Sequence, residues 1–253
     1  LNEAINSYEK AIAIDPNLYE AYYNLGVVFI QLKRFKEAMN SFNIAIEINP
    51  NFAQAYNNLG SALMSLGQLK KAIKCFKKAI FVDPGYVNAL NNLGIALTDI
   101  GQLKVGAKSI EKAIAIDPNF AEAHNSLGNI FKKFKKRHKA LLCYEQAYVI
   151  KPDIEFILGS ILNSKMHLCI WDGLLIQLKD LISRVNKSEK IIDPFNLLSL
   201  IDDPGLQRKA TEIRVNSAHP KSQAFPLNKV YSKHKKIRIG YFSADFKTHP
   251  VAT

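Results

Sequence analysis

The chain has little cysteine, and the three it does have, Cys75, Cys143 and Cys169, form no Cys-x-x-Cys pair. An odd number without that spacing supports neither a disulfide framework nor a thiolate zinc site, and it fits a reducing compartment. No apolar run approaches the ~20 residues of a membrane span, and no charged-then-apolar leader is visible, so no membrane partner is expected. With 12 glycines and 10 prolines in 253 residues, collagen-like and low-complexity classes are excluded. At 48% hydrophobic the chain is too apolar for disorder and long enough for one or two domains. The formal charge of +12 is not concentrated: residues 1–154 hold 19 basic against 13 acidic residues, and residues 155–253 hold 15 against 9. An even spread gives no nucleic-acid footprint, so none is expected as partner. The chain opens on Leu1 and stops at Thr253 directly after an organised motif, which reads as a fragment.

A period organises the first part. Gly26, Gly60, Gly94 and Gly128 recur every 34 residues, as do Pro16, Pro50, Pro84, Pro118 and Pro152. Segments such as NLGVVF (24–29), NLGSAL (58–63), NLGIAL (92–97) and SLGNIF (126–131) superimpose. The pattern resembles the tetratricopeptide repeat, a helix-turn-helix unit of 34 residues. It covers residues 1–154, as a partial unit (1–18) and four full units at 19–52, 53–86, 87–120 and 121–154. The resemblance implies a mainly α fold, an α-solenoid whose helix pairs wind into a right-handed superhelix.

The same reading follows from periodicity. In the unit 53–86, Tyr56, Leu59, Gly60 and Leu63 share one helical face, and Ala72, Phe76 and Ala79 share another. Gly60 and Ala72 lack bulk and let two helices approach, with Tyr56 and Phe76 filling the space beside them. Pro84 after Asp83 ends the second helix. One pair cannot bury both stripes, so units must stack. Gly106 stands where alanine is expected, and glycine costs a helix interior about 1 kcal/mol; unit 87–120 is expected to be the softest.

Other features have bland readings. GQLKVGAKS (101–109) has phosphate-loop glycines, but one residue too many before Lys108 and no preceding strand. The run KKFKKRHK (132–139) reads as a solvated turn and helix start, with an acidic partner as the alternative. Cys75 and Cys143 occupy one repeat position and read as semi-buried thiols. No His spacing suggests a metal ligand set, so no metal is expected.

Asn24, Asn58 and Asn92 share one repeat position, taken by Ser126 in the fourth unit. Glu20, Gln54, Asn88 and Glu122 lie four residues earlier on the same face. In stacked repeats the first helices line the inside of the superhelix, so these side chains form a ladder along a groove. Amides offer donors and acceptors that suit the backbone of an extended peptide. The alternative is that they bridge neighbouring first helices.

After residue 154 the ladder ends. EFILGSILNSKMHLCIWDGLLIQLKDLISRV (155–185) predicts two further helices parted near Trp171, Asp172 and Gly173, covering the last stripe. Pro194, Pro204 and Gly205 then punctuate short helices, so 155–218 is a helical cap or junction. Residues 219–236 read as a linker. IRIGYF (237–242) is β-branched and aromatic, and a polar turn follows, so 237–253 reads as the first strand of an α/β, Rossmann-like lobe.

KMHLCIWDGLLIQL (165–178), IIDPFNLLSLIDDPGLQ (191–207) and KIRIGYFSADFKTHPVA (236–252) resemble the junction between repeats and catalytic region in O-GlcNAc-transferase-like proteins, a group that includes SPINDLY-type enzymes. The resemblance covers essentially the whole chain. It implies a cytoplasmic inverting transferase that moves N-acetylglucosamine from UDP-GlcNAc to Ser or Thr of proteins, or fucose from GDP-fucose in the SPINDLY type. The family's DFxxHP motif falls on Asp245, Phe246, His249 and Pro250, and the resemblance implies His249 alone as an active-site residue, the catalytic candidate near the acceptor. An imidazole titrating near neutrality can take a hydroxyl proton, or it can only brace the turn. The lobe that would grip the nucleotide is not within these residues, so this stretch alone is expected to bind no cofactor and to be inactive. Protein or peptide substrates are the expected partners, with a homodimer as a further possibility. A non-enzymatic interaction scaffold is the competing expectation.

Overall fold

The computed structural model describes residues 1–218. The linker at 219–236, the strand at 237–242 and His249 lie outside the described residues. Residues Leu1–Val215 form one compact unit, and among the described residues all regular structure is helical.

A second-type helix, α1 (Asn2–Ile14), precedes four helix pairs: α2 (Tyr19–Gln31) with α3 (Phe35–Ile48), α4 (Ala53–Ser65) with α5 (Leu69–Val82), α6 (Val87–Asp99) with α7 (Leu103–Ile116), and α8 (Ala121–Lys133) with α9 (Arg137–Ile150). The boundaries reproduce the 34-residue period. In α5, Ala72, Ile73, Phe76 and Ala79 are buried while the five lysines of the helix are exposed, so one stripe drives the packing and the rest stays solvated. Each helix packs on its neighbours in sequence, and α2–α4, α4–α6 and α6–α8 also touch. The first helices are therefore drawn together along one side of the stack.

Turn chemistry repeats as faithfully. Asp15, Asn49, Asp83 and Asp117 end the second helices, and each side-chain Oδ1 accepts from the backbone N–H two residues on, at 2.9, 3.1, 3.0 and 3.0 Å. These are Asx turns whose intervening proline cannot continue a helix. Lys151 has the equivalent place after α9 and offers no acceptor. There the ladder stops, and the chain passes through Phe156 (φ +63°) into α10 (Ile157–His167).

The pairs close on small residues. A β-carbon on Gly60 would lie 2.5 Å from Cε1 of Phe76, and one on Gly128 would lie 2.6 Å from Cε1 of Tyr144. Unit 87–120 differs in kind. Its ring position holds Ile110, and a β-carbon on Gly106 would lie 2.6 Å from both the carbonyl of Gly94 and Oγ1 of Thr98. Gly106 is thus a close backbone approach. The expectation of a soft unit, based on helix propensity alone, omitted this packing.

The junction contains α10, α11 (Leu174–Asn186), α12 (Pro194–Leu198) and α13 (Pro204–Ala218). The break near Trp171–Gly173 falls where expected. Pro194 and Pro204 open their helices rather than ending others, and at 15 residues α13 is not short. Ile157, Leu158, Ile161, Leu162, Leu181 and Val185 join Tyr144 in one core, in which α10 packs on α9 and α11 packs on α10. The segment 190–192 crosses the start of α10. Lys190 accepts from the Phe156 N–H at 2.7 Å and Ile191 from the Gly159 N–H at 3.1 Å, satisfying amides that a helix start leaves unpaired.

Candidate functional site: the first-helix groove

Adjacent positions of a helix point about 100° apart, so an Asn-Asn pair on a first helix can serve two surfaces. In α4, Asn57 is buried against the neighbouring helices and Asn58 is half-buried. Asn92 Nδ2 donates to Asn57 Oδ1 at 2.9 Å, Asn57 Nδ2 donates to Asn58 Oδ1 at 3.2 Å, and Asn58 Nδ2 donates to Tyr23 Oη at 3.1 Å. A polar relay thus runs through α6, α4 and α2. Tyr23 is held in turn by Phe52 and Phe42, with ring centroids 4.8 and 5.9 Å away. Of the two roles open to these amides, bridging between first helices is present at Asn58 and Asn92. Both remain half-exposed, and a primary amide has two N–H donors and two carbonyl lone pairs, so one bridge does not exhaust either.

The rule behind the relay is an offset of 35 residues: 58 reaches 23, and 92 reaches 57. The next step would be 126 to 91. Ser126 is half-buried and carries a short hydroxyl in place of the amide N–H, and Asn91 Oδ1, on a residue only 6% exposed, has no hydrogen-bond partner. A cavity of about 500 Å³ lies beside this break. Farther along, Glu122 pairs with Lys151 at 2.8 Å. Partial burial works against the charged carboxylate, but the Lys151 hydrogen bond prevails and holds it below the usual range.

Other motifs fall where their bland readings put them. GQLKVGAKS is the turn at Gly101 (φ +84°) and the first turns of α7. The run 132–139 closes α8, turns and opens α9, with its cationic side chains exposed. Cys75 and Cys143 are half-buried, and burial raises both thiols; Cys143 reaches about 11, with Glu111 adding to the shift and Lys139 opposing it. No metal-ligand cluster occurs among the described residues. No helix among them is long and apolar enough to cross a membrane. Sequence reasoning picked out Asn24, Asn58 and Asn92 but passed over Asn57 and Asn91. The doubled Asn-Asn at 57–58 and 91–92, against Tyr-Asn at 23–24, was the signal available.

Stacked helix pairs with first helices facing one side define a helical-repeat interaction module. Tetratricopeptide-repeat models match residues 1–33, 19–52, 53–86, 87–120 and 121–154, more than half of the chain. The chain belongs to the tetratricopeptide-repeat family. No curated protein matches it. Among solved structures it is similar to PilW, a widely conserved type IV pilus biogenesis factor: 22% identity over 75% of this chain and 88% of that one, TM-score 0.66. It is also similar to MamA (41 to the end) from Desulfovibrio magneticus RS-1, at 18% identity, 65% and 93% coverage and TM-score 0.55. A third is YrrB, described as a TPR protein with an unusual peptide-binding site, at 16% identity, 81% and 97% coverage and TM-score 0.52. At these identities the likeness establishes the fold.

Proposed function

We propose that the groove along α2, α4, α6 and α8 holds an extended segment of a partner protein. We further propose that it does so as the substrate-recognition arm of a cytoplasmic protein O-glycosyltransferase of the O-GlcNAc-transferase type. The amide relay carries the first half. Asn58 and Asn92 are held by hydrogen bonds to neighbouring first helices, so a peptide backbone meets donors and acceptors already ordered, and less ordering free energy is lost on binding. Asn24 and Ser126 extend the same line. The peptide-binding site described for YrrB shows what this fold supports in another protein. The second half rests on the resemblance of 165–178, 191–207 and 236–252. In that reading the donor is UDP-GlcNAc, or GDP-fucose in the SPINDLY variant, and His249 stands near the acceptor hydroxyl.

A photo-crosslinking amino acid at Gln54 or Asn88, both exposed on first helices, should capture a protein partner, whereas one at Phe81 on the second helix α5 should not. Equal capture from all three positions would overturn the groove. For the transferase, the full-length protein with UDP-GlcNAc or GDP-fucose should add one sugar mass to a Ser- or Thr-containing acceptor, and His249→Ala should abolish it. No transfer from either donor would leave the interaction scaffold. That second reading is favoured by one observation: the family matches stop at residue 154.

A further inference from the structure

Three departures from the repeat meet at one place. Phe42, Phe76 and Tyr144 cover Gly26, Gly60 and Gly128 with a ring, but Gly94 is covered by Ile110. Ser126 replaces the asparagine of the other three units. Asn91 Oδ1, one turn before Ile95 on α6, is buried without a donor. Beside them lies the cavity of about 500 Å³, with Ile95, Ile110 and Ile130 as apolar lining and Ser126 and Asn129 as polar lining.

Repeat symmetry states what this space replaces. In the last unit the Tyr144 hydroxyl donates to Asn129 at 2.9 Å, so a ring at this position ends beside residue 129. Thirty-four residues earlier the equivalents are Ile110 and Ile95, both lining the cavity. The space therefore corresponds to the outer end of a ring that unit 87–120 does not supply. Charge narrows the occupant. Lys132 and Lys133 also line the cavity against a single carboxylate, Asp99, which lies 3.7 Å from Lys133. The following turn adds exposed Lys135, Lys136 and Arg137.

We infer that this cavity is a specificity pocket that takes one aromatic side chain of the bound segment, flanked by acidic residues that face the lysines. The inference rests on the groove reading above and names what that groove selects. Its position at the α6–α8 contact makes it a local feature of the third and fourth units, not of the repeat in general.

The test is an NMR titration of the ¹⁵N-labelled 253-residue chain with three acetylated, amidated pentapeptides: Gly-Asp-Tyr-Asp-Gly, Gly-Asp-Ala-Asp-Gly and Gly-Lys-Tyr-Lys-Gly. The first should saturably shift the amides of Ile95, Ser126 and Ile130, with the other two weaker by about tenfold or more. Ser126→Asn supplies a donor for Asn91 and narrows the cavity, so it should raise the melting temperature while weakening the first peptide by about tenfold. If the Ala and Tyr peptides shift amides near Asn24 and Asn58 equally and leave the cavity amides still, the pocket is overturned and the groove stands. If no amide within 19–154 moves with any peptide, both fail. If N-acetyltyrosinamide binds as tightly as the first peptide, the site takes a small aromatic ligand and the inference is overturned.

Discussion

The contact between α4 and α6 and the contact between α6 and α8 are made from one 34-residue template, and they end up chemically different. In the first, Asn92 donates to buried Asn57, which passes the bond on to Asn58 and Tyr23. In the second, Ser126 provides no such donor, Asn91 Oδ1 is left alone, and a cavity lies alongside. The backbone repeats across both contacts; the polar satisfaction does not. A helical repeat can thus keep its helix-to-helix contacts while changing, by one or two side chains, whether a buried amide is satisfied and whether a cavity opens beside it.

Core changes should break the comparison most strongly. Phe76 is fully buried, and Phe76→Ala should cost about 3–5 kcal/mol, whereas Ile110→Ala, beside an existing cavity, should fall toward the lower end of about 2–5 kcal/mol. Urea unfolding followed by circular dichroism measures both.

Next is Gly106→Ala, where sign matters more than size. Helix propensity alone predicts a gain of about 1 kcal/mol. The contact with the Gly94 carbonyl and Thr98 Oγ1 predicts a loss of about 1–3 kcal/mol instead. A stabilised variant would show that α6 and α7 are not held as closely as described.

The relay comes third. Asn92→Ala leaves Asn57 Oδ1 buried without its donor and should cost about 1–3 kcal/mol. Ser126→Ala, at the contact where no bond exists, should stay within about 0.5 kcal/mol. Equal costs would erase the distinction between the two contacts.

The smallest effect is read by thiol labelling. Cys169 is exposed, while burial pushes the Cys143 thiol up to about 11. Iodoacetamide should modify Cys169 first because it is exposed, and Cys143 only as pH rises toward about 11, because the thiolate is the nucleophile. Equal rates at pH 8 would contradict the packing around α9.

Much of this was legible in the chain. Glycine and proline at a fixed period, with apolar residues at helical spacing, are local signals, and they placed the paired helices of all four units. Trp171–Gly173 likewise announced the break between α10 and α11. Three things were not legible, each because it depends on what lies across a helix interface. Gly106 reads as a flaw until the Gly94 carbonyl is seen against it. Asn57 and Asn91 went unremarked because only the 35-residue offset joins one to Asn92 and leaves the other unpaired. Lys190–Ile192 carries no helix or strand period, yet its carbonyls cap α10. As for the site, the shared repeat position of Asn24, Asn58 and Asn92 was legible; the bonds that orient the amides and the cavity at Ser126 were not.

The most direct test of the difference between the two contacts is a reciprocal swap, Asn92→Ser and Ser126→Asn, each measured as the shift in urea midpoint of the full chain. A donor missing from one contact and present in the other predicts opposite shifts, down for Asn92→Ser and up for Ser126→Asn. Two shifts of the same sign, or none in either variant, would contradict it.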